Sequence, residues 1–408
     1  NLALTIRTSG LQQVSRLEIN GSLATMGEVS GVFLDTLQLV EGINAVFVDA
    51  FSSGDVVGSD TLYAAYFPYE MTNVPNASLP SPRAGHTATH LQDGRILVAG
   101  GLTSDGQVSG SAFLLEERGG DFSVSTLSDE LEVPRTGHTA SLLPDGRVII
   151  VGGSTTEAPT SPSQLVTLIE TFDPTTNSFS TLPAGGEAIL RSQHTEIVLE
   201  GESGTYLYVF GGRGPIDTAP IGTRGDVSVL EYKSTAEGDS IINLSPGGAI
   251  GAFPAVSNHT QLPLSRNGPT HRSLVAGTYV LESDLSFEAV AFRKLASPSS
   301  FFFPFELVQQ DLPAMRENRV ELAAALLRTD IAVLFGGRSP EGDILRSLEL
   351  FSDQGGQFFS FPSSTALRVP RRQHTATLLP SGRILVLGGI DAFGTTLSSG
   401  ELLLPTSP

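Results

Sequence analysis

Two residue types that could do chemistry recur at fixed places in a repeated pattern. Arginine recurs at Arg83, Arg135, Arg191, Arg316 and Arg371. Histidine recurs at His86, His138, His194, His259 and His374. Guanidinium groups gathered around one opening would bind a carboxylate or an acidic peptide, because each offers several donors in a planar fork. Imidazoles could hold a metal only if several converged within about 2 Å of one ion.

Two further arginines, Arg213 and Arg338, directly follow a Gly-Gly pair and could face the same ligand. The predicted binding set is therefore Arg83, Arg135, Arg191, Arg213, Arg316, Arg338 and Arg371. For the five that recur, the competing interpretation is that a residue present in every repeat braces every repeat. We favour bracing for those five, because ligand residues usually vary between repeats and lie on variable loops.

The repeats place this position about 50 to 65 residues apart, with Arg319 at the position between His259 and His374, and such spacing would put the histidines on a ring too wide for one metal ion. A threonine follows most of them, and we expect a structural hydrogen bond at these pairs. The sequence therefore predicts no metal, no cofactor and no catalytic group among them.

The elements that position these residues come from an internal repeat. Pro82 to Gly101, Pro134 to Gly153 and Pro370 to Gly389 are near copies, each running from Arg and His-Thr through a Gly-Arg turn to an apolar run and Gly-Gly. Two looser copies end at Gly211-Gly212 and Gly336-Gly337, and we align Arg316 with the repeated arginine and Arg319 with the histidine in the second of them. A sixth copy is nearly erased around His259.

Six copies in this order resemble the kelch family, whose repeat of about 50 residues has Gly-Gly after its second strand. The likeness covers roughly residues 80 to 408, and it is to a bacterial variety, because the chain has no Trp where eukaryotic repeats usually carry one. The resemblance implies an all-β, six-bladed kelch-type β-propeller over residues 68–408. We expect residues 68–80 to close the last blade by pairing with Glu401 to Leu404, because an unpaired edge strand is a liability.

Residues 1–67 lack the repeat and show alternating apolar and polar residues between turns such as Asn20-Gly21. This pattern resembles the immunoglobulin-like β-sandwich domains of exported bacterial proteins. We expect a small sandwich of that kind ahead of the propeller.

The composition excludes several functions. The formal charge of −19 repels phosphate backbones, so we expect no nucleic-acid partner. The absence of Cys excludes disulfides, thiol catalysis and the Tyr-Cys copper site of galactose oxidase, which also has a kelch-type propeller. No apolar run is long enough for a transmembrane helix. Because the chain starts at Asn1, we expect removal of an export signal and an extracellular, cell-surface or periplasmic location.

These features favour a protein-interaction or assembly module without enzymatic activity, which would bind a partner protein, a second copy or a glycan through its propeller loops. The alternative is a carbohydrate-active enzyme similar to the sugar epimerases, with its site in the channel. An enzyme needs non-repeated polar groups that converge on a pocket, and the sequence shows no such constellation. The apolar run Phe301 to Phe305 is either interface or core.

Overall fold

The computed structural model describes most of the chain. The described residues are 2–7, 14–26, 32–182, 184–185, 189–200, 204–216, 219–224, 226–235, 238–244, 255–265, 270–280, 285–296, 305–311, 315–353 and 356–406. The chain forms two compact units, which are Asn1–Tyr69 with Pro405–Pro408 and Glu70–Leu404.

The first unit consists of two antiparallel sheets. One sheet has the strand order Leu2–Arg7, Val32–Leu37 and Thr25–Met26, and the other has the order Ser22–Leu23, Arg16–Ile19, Gly42–Ser52 and Asp55–Tyr66. Alternation along the strands sends Leu17, Ile19, Phe33, Val46 and Val48 into a shared apolar core.

The second unit is built from six antiparallel sheets, which we number as blades 1 to 6. Each blade has four strands, and in blade 3 the short strand Ala184–Gly185 adds in parallel beside the fourth strand. Blade 1 comprises Thr87–His90, Ile96–Ala99, Ala112–Arg118 and Asp121–Thr126. Blade 2 comprises Thr139–Leu142, Val148–Val151, Glu170–Asp173 and Ser178–Thr181. Blade 3 comprises Thr195–Glu200, Thr205–Phe210, Val227–Thr235 and Gly238–Asn243. Blade 4 comprises Ala255–Ser265, Thr270–Val280, Leu285–Ala296 and Phe305–Asp311. Blade 5 comprises Ala323–Arg328, Ile331–Phe335, Leu348–Ser352 and Gln357–Ser360. Blade 6 comprises Thr375–Leu378, Ile384–Leu387, Gly400–Pro405 and Tyr69–Val74.

The first strands of the six blades contact one another in sequence, and the strand of blade 6 contacts that of blade 1. They therefore surround a central channel, and the predicted six-bladed propeller is confirmed. Shorter elements lie in the connections: the strands Ala184–Gly185, Arg213–Ile216 and Ala219–Thr223, and the 3-10 turns Pro75–Ala77 and Pro162–Gln164.

The fourth strand of blade 6 comes from the start of the unit. Tyr69–Val74 is the neighbour of Gly400–Pro405 in that sheet, and the backbone N–H of Leu79 donates to the carbonyl of Ser398 at 2.8 Å. Residues from both ends of the propeller sequence therefore share one blade.

The second strand of each well-described repeat is buried on both faces, as its unbroken apolar run predicts. Val148 and Ile150 pack with Leu97 and Ala99 of the preceding blade, so the apolar core lies between blades. The arginine that follows the Asp-Gly turn reaches from its own blade to the next one. Arg147 of blade 2, for example, binds Asp239 of blade 3.

Within the described part of the chain, no helix has the length and apolar character needed to cross a membrane. Residues 301–304 of the apolar run lie outside the described residues, and Phe305 begins the fourth strand of blade 4.

Candidate functional site

A pocket of about 140 Å³ lies at one mouth of the channel, and all six blades line it. This volume is below the ~300–1,000 Å³ typical of sites for drug-sized ligands, so the pocket suits a small ligand. Its lining residues are Gly85, His86, Leu102, Thr136, Gly137, His138, Ser154, Glu157, Gln193, His194, His259, Glu321, Leu322, Gln373 and His374.

The rim of this pocket is a chain of backbone hydrogen bonds between blades. The amides of Gln373, Gly85, Gly137 and Gln193 each donate to the carbonyl of the equivalent residue in the preceding blade, at 2.7 to 3.1 Å. Every residue in this chain, including Glu321 at its start, has a φ between 53° and 62°. Glycine adopts such a φ without strain, and side chains held there against strain cluster at functional sites.

Two repeats place glycine at this rim position, whereas three others place Gln193, Glu321 and Gln373 there. The Glu321 carboxylate lies 2.8 Å from Arg372 and 3.4 Å from Arg338. Arg372 is the only arginine at its position among these bridges, where blade 1 has Ala84, and Arg338 shares its position with Arg213 of blade 3, where blade 1 has Leu102. Three charged groups that do not recur in every blade therefore meet beside the pocket.

The pocket histidines connect neighbouring blades. Four of the five imidazoles place Nε2 against a threonine hydroxyl of the preceding blade, at 2.8 to 3.2 Å; the pairs are His86 with Thr375, His138 with Thr87, His194 with Thr139 and His259 with Thr195. The ring also packs on the first glycine of the pair in that blade. A Cβ on Gly152 would lie 2.6 Å from Cε1 of His194. The predicted His-Thr hydrogen bond therefore exists, but across the seam between blades.

Blade 5 interrupts this ring, because Leu322 and Ala323 replace histidine and threonine. His374 faces this blade without a threonine, and neither of its ring nitrogens has a hydrogen-bonding partner among the described residues. The seam between blades 5 and 6 therefore lacks the bond that four other seams have.

Burial keeps these imidazoles uncharged. Burial, reinforced by nearby Arg83, lowers the pKa of His86 to about 3. Burial followed by the charges of Arg135 and His86 lowers the pKa of His138 to about 3, and burial lowers that of His259 to about 4. The pKa values of His194 and His374 also lie well below the ordinary value, chiefly because of burial.

Glu196 is a second non-repeated carboxylate, on the first strand of blade 3. The equivalent residues in blades 1, 2 and 6 are Ala88, Ala140 and Ala376. Its Oε2 accepts a hydrogen bond from Thr139 at 3.1 Å, and its Oε1 is buried without a partner in the described structure. Burial raises the pKa of Glu196 to about 7, and the nearby hydroxyls of Ser141 and Thr139 oppose this effect.

The structure places four of the predicted binding arginines inside the blades. Arg135 and Arg371 are fully buried, and each binds a glycine carbonyl and a buried glutamate, Glu170 or Glu401. Arg191 binds Asp226 at 3.0 Å, and Arg83 donates to serines and lies over the Phe113 ring. None of the four lines the pocket.

The assignment of Arg316 to the repeated position was wrong by three residues. Arg319 is the fully buried arginine of blade 5, and it lies 2.9 Å from the carbonyl of Gly336 and 2.8 Å from Glu349. Arg319 is 17 residues before that glycine, the same separation as for Arg135 and Gly152. Arg316 is exposed and donates to the carbonyl of Phe358.

The last two members of the predicted set lie on the connections that follow Gly-Gly. Arg338 is beside the pocket through its contact with Glu321. Arg213 is half-buried, and its backbone pairs with Ser192. A ligand-binding role for the seven arginines stays a prediction.

The sequence analysis missed Glu321, Arg372 and Glu196. Each could have been found as a charged residue at a position where the other repeats have a small or neutral residue.

The donor set at this mouth does not fit a copper ion. Among the described residues, no group of three or more His, Asp or Glu side chains is arranged to hold a metal. The Nε2 atoms of four channel histidines already face threonine hydroxyls. The chain also has no Cys for a Tyr-Cys cross-link.

No model of a protein family matches this chain, and neither does any curated protein. Among solved structures, the chain is similar to YjhT, with 14% sequence identity and a TM-score of 0.56 over 80% of this chain and 95% of that one. It is also similar to a fungal alcohol oxidase of the AA5 family, solved in complex with copper, with 15% identity and a TM-score of 0.49 over 90% of this chain and 68% of that one. The likeness to YjhT shows a β-rich fold of the galactose-oxidase-like kind.

The prediction of a non-enzymatic interaction or assembly module was wrong. The comparison with YjhT supports the carbohydrate-active alternative better than the interaction module. The geometry gives a physical reason for the error. Glu321, Arg338 and Arg372 come from blades 5 and 6 and lie far apart in sequence, so they meet only in the folded ring.

Proposed function

We propose that the propeller is a carbohydrate-active enzyme of the sugar-epimerase type, with its site in the pocket at the channel mouth. The observation that carries this proposal is the meeting of Glu321, Arg338 and Arg372 at a pocket that all six blades line. Glu321 and Arg372 each occur at a position where the other described blades have a neutral residue, and Arg338 has its equivalent only in Arg213. Such variation between blades is expected of a binding site, whereas a structural brace recurs. The kelch assignment of the repeats and the immunoglobulin-like assignment of residues 1–67 belong to the same proposal.

The charges favour an acidic monosaccharide. A guanidinium has five N–H donors. Arg338 and Arg372 each donate one hydrogen bond to the Glu321 carboxylate in the described structure. The remaining donors can bind the carboxylate of a sugar acid in a planar, paired arrangement. The side chain of Arg338 is 42% exposed, so its guanidinium is open to a ligand.

Epimerisation at the anomeric carbon is the reaction that this site supports. The anomeric hydroxyl loses its proton, the C–O bond of the ring breaks, and the ring oxygen gains a proton; closure on the other face of the carbonyl returns both protons. We assign Glu321 as the group that accepts and returns the hydroxyl proton, as a positioned general base. Solvent water in the open pocket supplies the proton for the ring oxygen.

Exchange spectroscopy by NMR tests the proposal with three reducing sugars: galactose, glucuronate and N-acetylneuraminate. The account predicts that the protein speeds interconversion of the anomers of at least one acidic sugar over buffer alone, and does so more than for galactose. Interconversion at the buffer rate for all three sugars would contradict the proposal.

A further inference from the structure

The hydroxyl of Thr139 connects two titratable side chains of the next blade. Its oxygen lies 3.1 Å from Nε2 of His194 and 3.1 Å from Oε2 of Glu196. A hydroxyl has one proton, so it donates to one of these neighbours and accepts from the other. The more distant alternative acceptor is the carbonyl of Val151, 3.5 Å from the same oxygen.

Two hydrogen-bond arrangements fit these distances, and in both of them Nδ1 of His194 has no partner among the described residues. When Glu196 is ionised, Thr139 donates to the carboxylate, and His194 carries its proton on Nε2 to donate to the threonine. When Glu196 is protonated, it donates to Thr139, the threonine donates to Nε2, and the His194 proton lies on Nδ1. The hydrogen bond at one nitrogen of an imidazole fixes the tautomer of the whole ring.

We infer that Glu196 is a positioning residue that sets the tautomer of His194 through Thr139. Because His194 lines the pocket, the change of tautomer reverses the dipole of the ring at one wall of the site. This inference rests on the proposed function for its consequence, since it names a group that prepares the same pocket for its ligand.

The surroundings allow this change near neutral pH. Burial raises the pKa of Glu196 to about 7, and His194 stays neutral throughout because burial and the nearby charge of Arg191 lower its pKa. The other seams provide internal controls. Ala140 and Ala88 replace the carboxylate beside the Thr87–His138 and Thr375–His86 pairs, so those tautomers have no carboxylate to set them.

The test is the long-range proton–nitrogen correlation of the histidine rings in the uniformly ¹⁵N-labelled full chain, from pH 5 to pH 8.5. The expected result is exchange of the Nδ1 and Nε2 resonance positions of His194 with a midpoint near pH 7, while His138 and His86 stay constant. The Glu196→Ala variant, which has the residue of the other blades, should lose this dependence. Thr139→Val should lose it as well, although it keeps the carboxylate.

A His194 tautomer that stays the same across this range, or that changes equally in Glu196→Ala, would overturn the inference. Turnover adds a second readout: the pH profile of sugar interconversion should contain a step near pH 7 that Glu196→Ala lacks. The NMR measurement needs no sugar, so the two ideas fail separately. A constant tautomer overturns this inference alone, whereas a tautomer change without turnover of any sugar overturns only the proposed function.

Discussion

Arg319 and Glu349 form an ion pair of 2.8 Å in which both side chains are at most 1% exposed. The same pair recurs as Arg371 with Glu401 at 2.6 Å, and as Arg135 with Glu170. In each case the guanidinium also binds the carbonyl of the first glycine in the pair. In blades 2, 5 and 6 the arginine of the repeat therefore ties the start of the blade to its second and third strands.

This arrangement predicts that Arg319→Ala costs about 3–5 kcal/mol in the free energy of unfolding, because it leaves the Glu349 charge buried and unpaired. Arg316→Ala is the matched control, three residues away and exposed. It should cost about 1 kcal/mol or less, since exposed contacts contribute little. Urea unfolding of both variants measures the difference, and equal losses would contradict the register that the structure gives to blade 5.

The ring of histidines predicts a loss of stability in acid. The folded state keeps His86, His138 and His259 neutral down to a pH of about 3 to 4, whereas the unfolded chain protonates its histidines near pH 6.5. The unfolded state therefore binds more protons below pH 6.5, and the free energy of unfolding falls as the pH falls toward 4.

The His138→Gln variant tests this dependence. It removes one of the neutral imidazoles, so the stability gap between the variant and the wild type should be wider at pH 7.5 than at pH 5. Chemical denaturation at the two pH values measures both gaps. A gap that is constant with pH would show that His138 titrates normally in the folded chain.

The break in the ring at blade 5 predicts an unusual stabilising substitution. Ala323→Thr would place a hydroxyl opposite His374, as four other seams have, and a satisfied hydrogen bond contributes about 0.5–1.5 kcal/mol. Thr87→Ala makes the opposite change at the seam of His138 and should cost about 1–3 kcal/mol. Thermal unfolding of the wild type and both variants measures the two changes in stability. Destabilisation by Ala323→Thr would mean that this seam has no room for the hydroxyl.

The shared sixth blade predicts that two N-terminal deletions differ sharply. Removing residues 1–80 takes away the strand Tyr69–Val74 and leaves Gly400–Pro405 as an unpaired edge. Removing residues 1–66 keeps that strand. Calorimetry should show a much lower melting temperature for the propeller after the longer deletion, and similar melting temperatures would contradict the role of this strand in closing the ring.

Much of the fold was predictable because the repeat specifies it locally. Asp145-Gly146 gives the turn, Val148–Val151 the buried strand and Gly152 the close contact with His194 of the next blade. The alignment of blade 5 failed because Leu322 and Ala323 replace the His-Thr pair. Arg316 then competed with Arg319 for one position, and only the burial of Arg319 beside Glu349 distinguishes them.

The site was harder to predict than the fold for a physical reason. Glu321 and Arg372 lie where the repeat is broken, so a search for recurring residues passes over them, whereas Arg338 was found because it follows Gly-Gly as Arg213 does. Arg135 and Arg371 recur and are buried braces, whereas Glu321 occurs once and lines the pocket. The ion pair between Glu321 and Arg372 forms because blades 5 and 6 are neighbours in the closed ring. The spacing of these residues in the sequence does not indicate that contact.

The most direct test of the account is the rate of anomer interconversion of an acidic sugar, compared between the wild type, Glu321→Gln and Glu341→Gln. Both variants remove one negative charge from blade 5, but Glu341 is exposed on the loop after Gly-Gly and does not line the pocket. The account predicts wild-type turnover in Glu341→Gln and a loss of at least about 100-fold in Glu321→Gln, as expected for a general base. Turnover that is equal in all three proteins, or absent from the wild type, would contradict it.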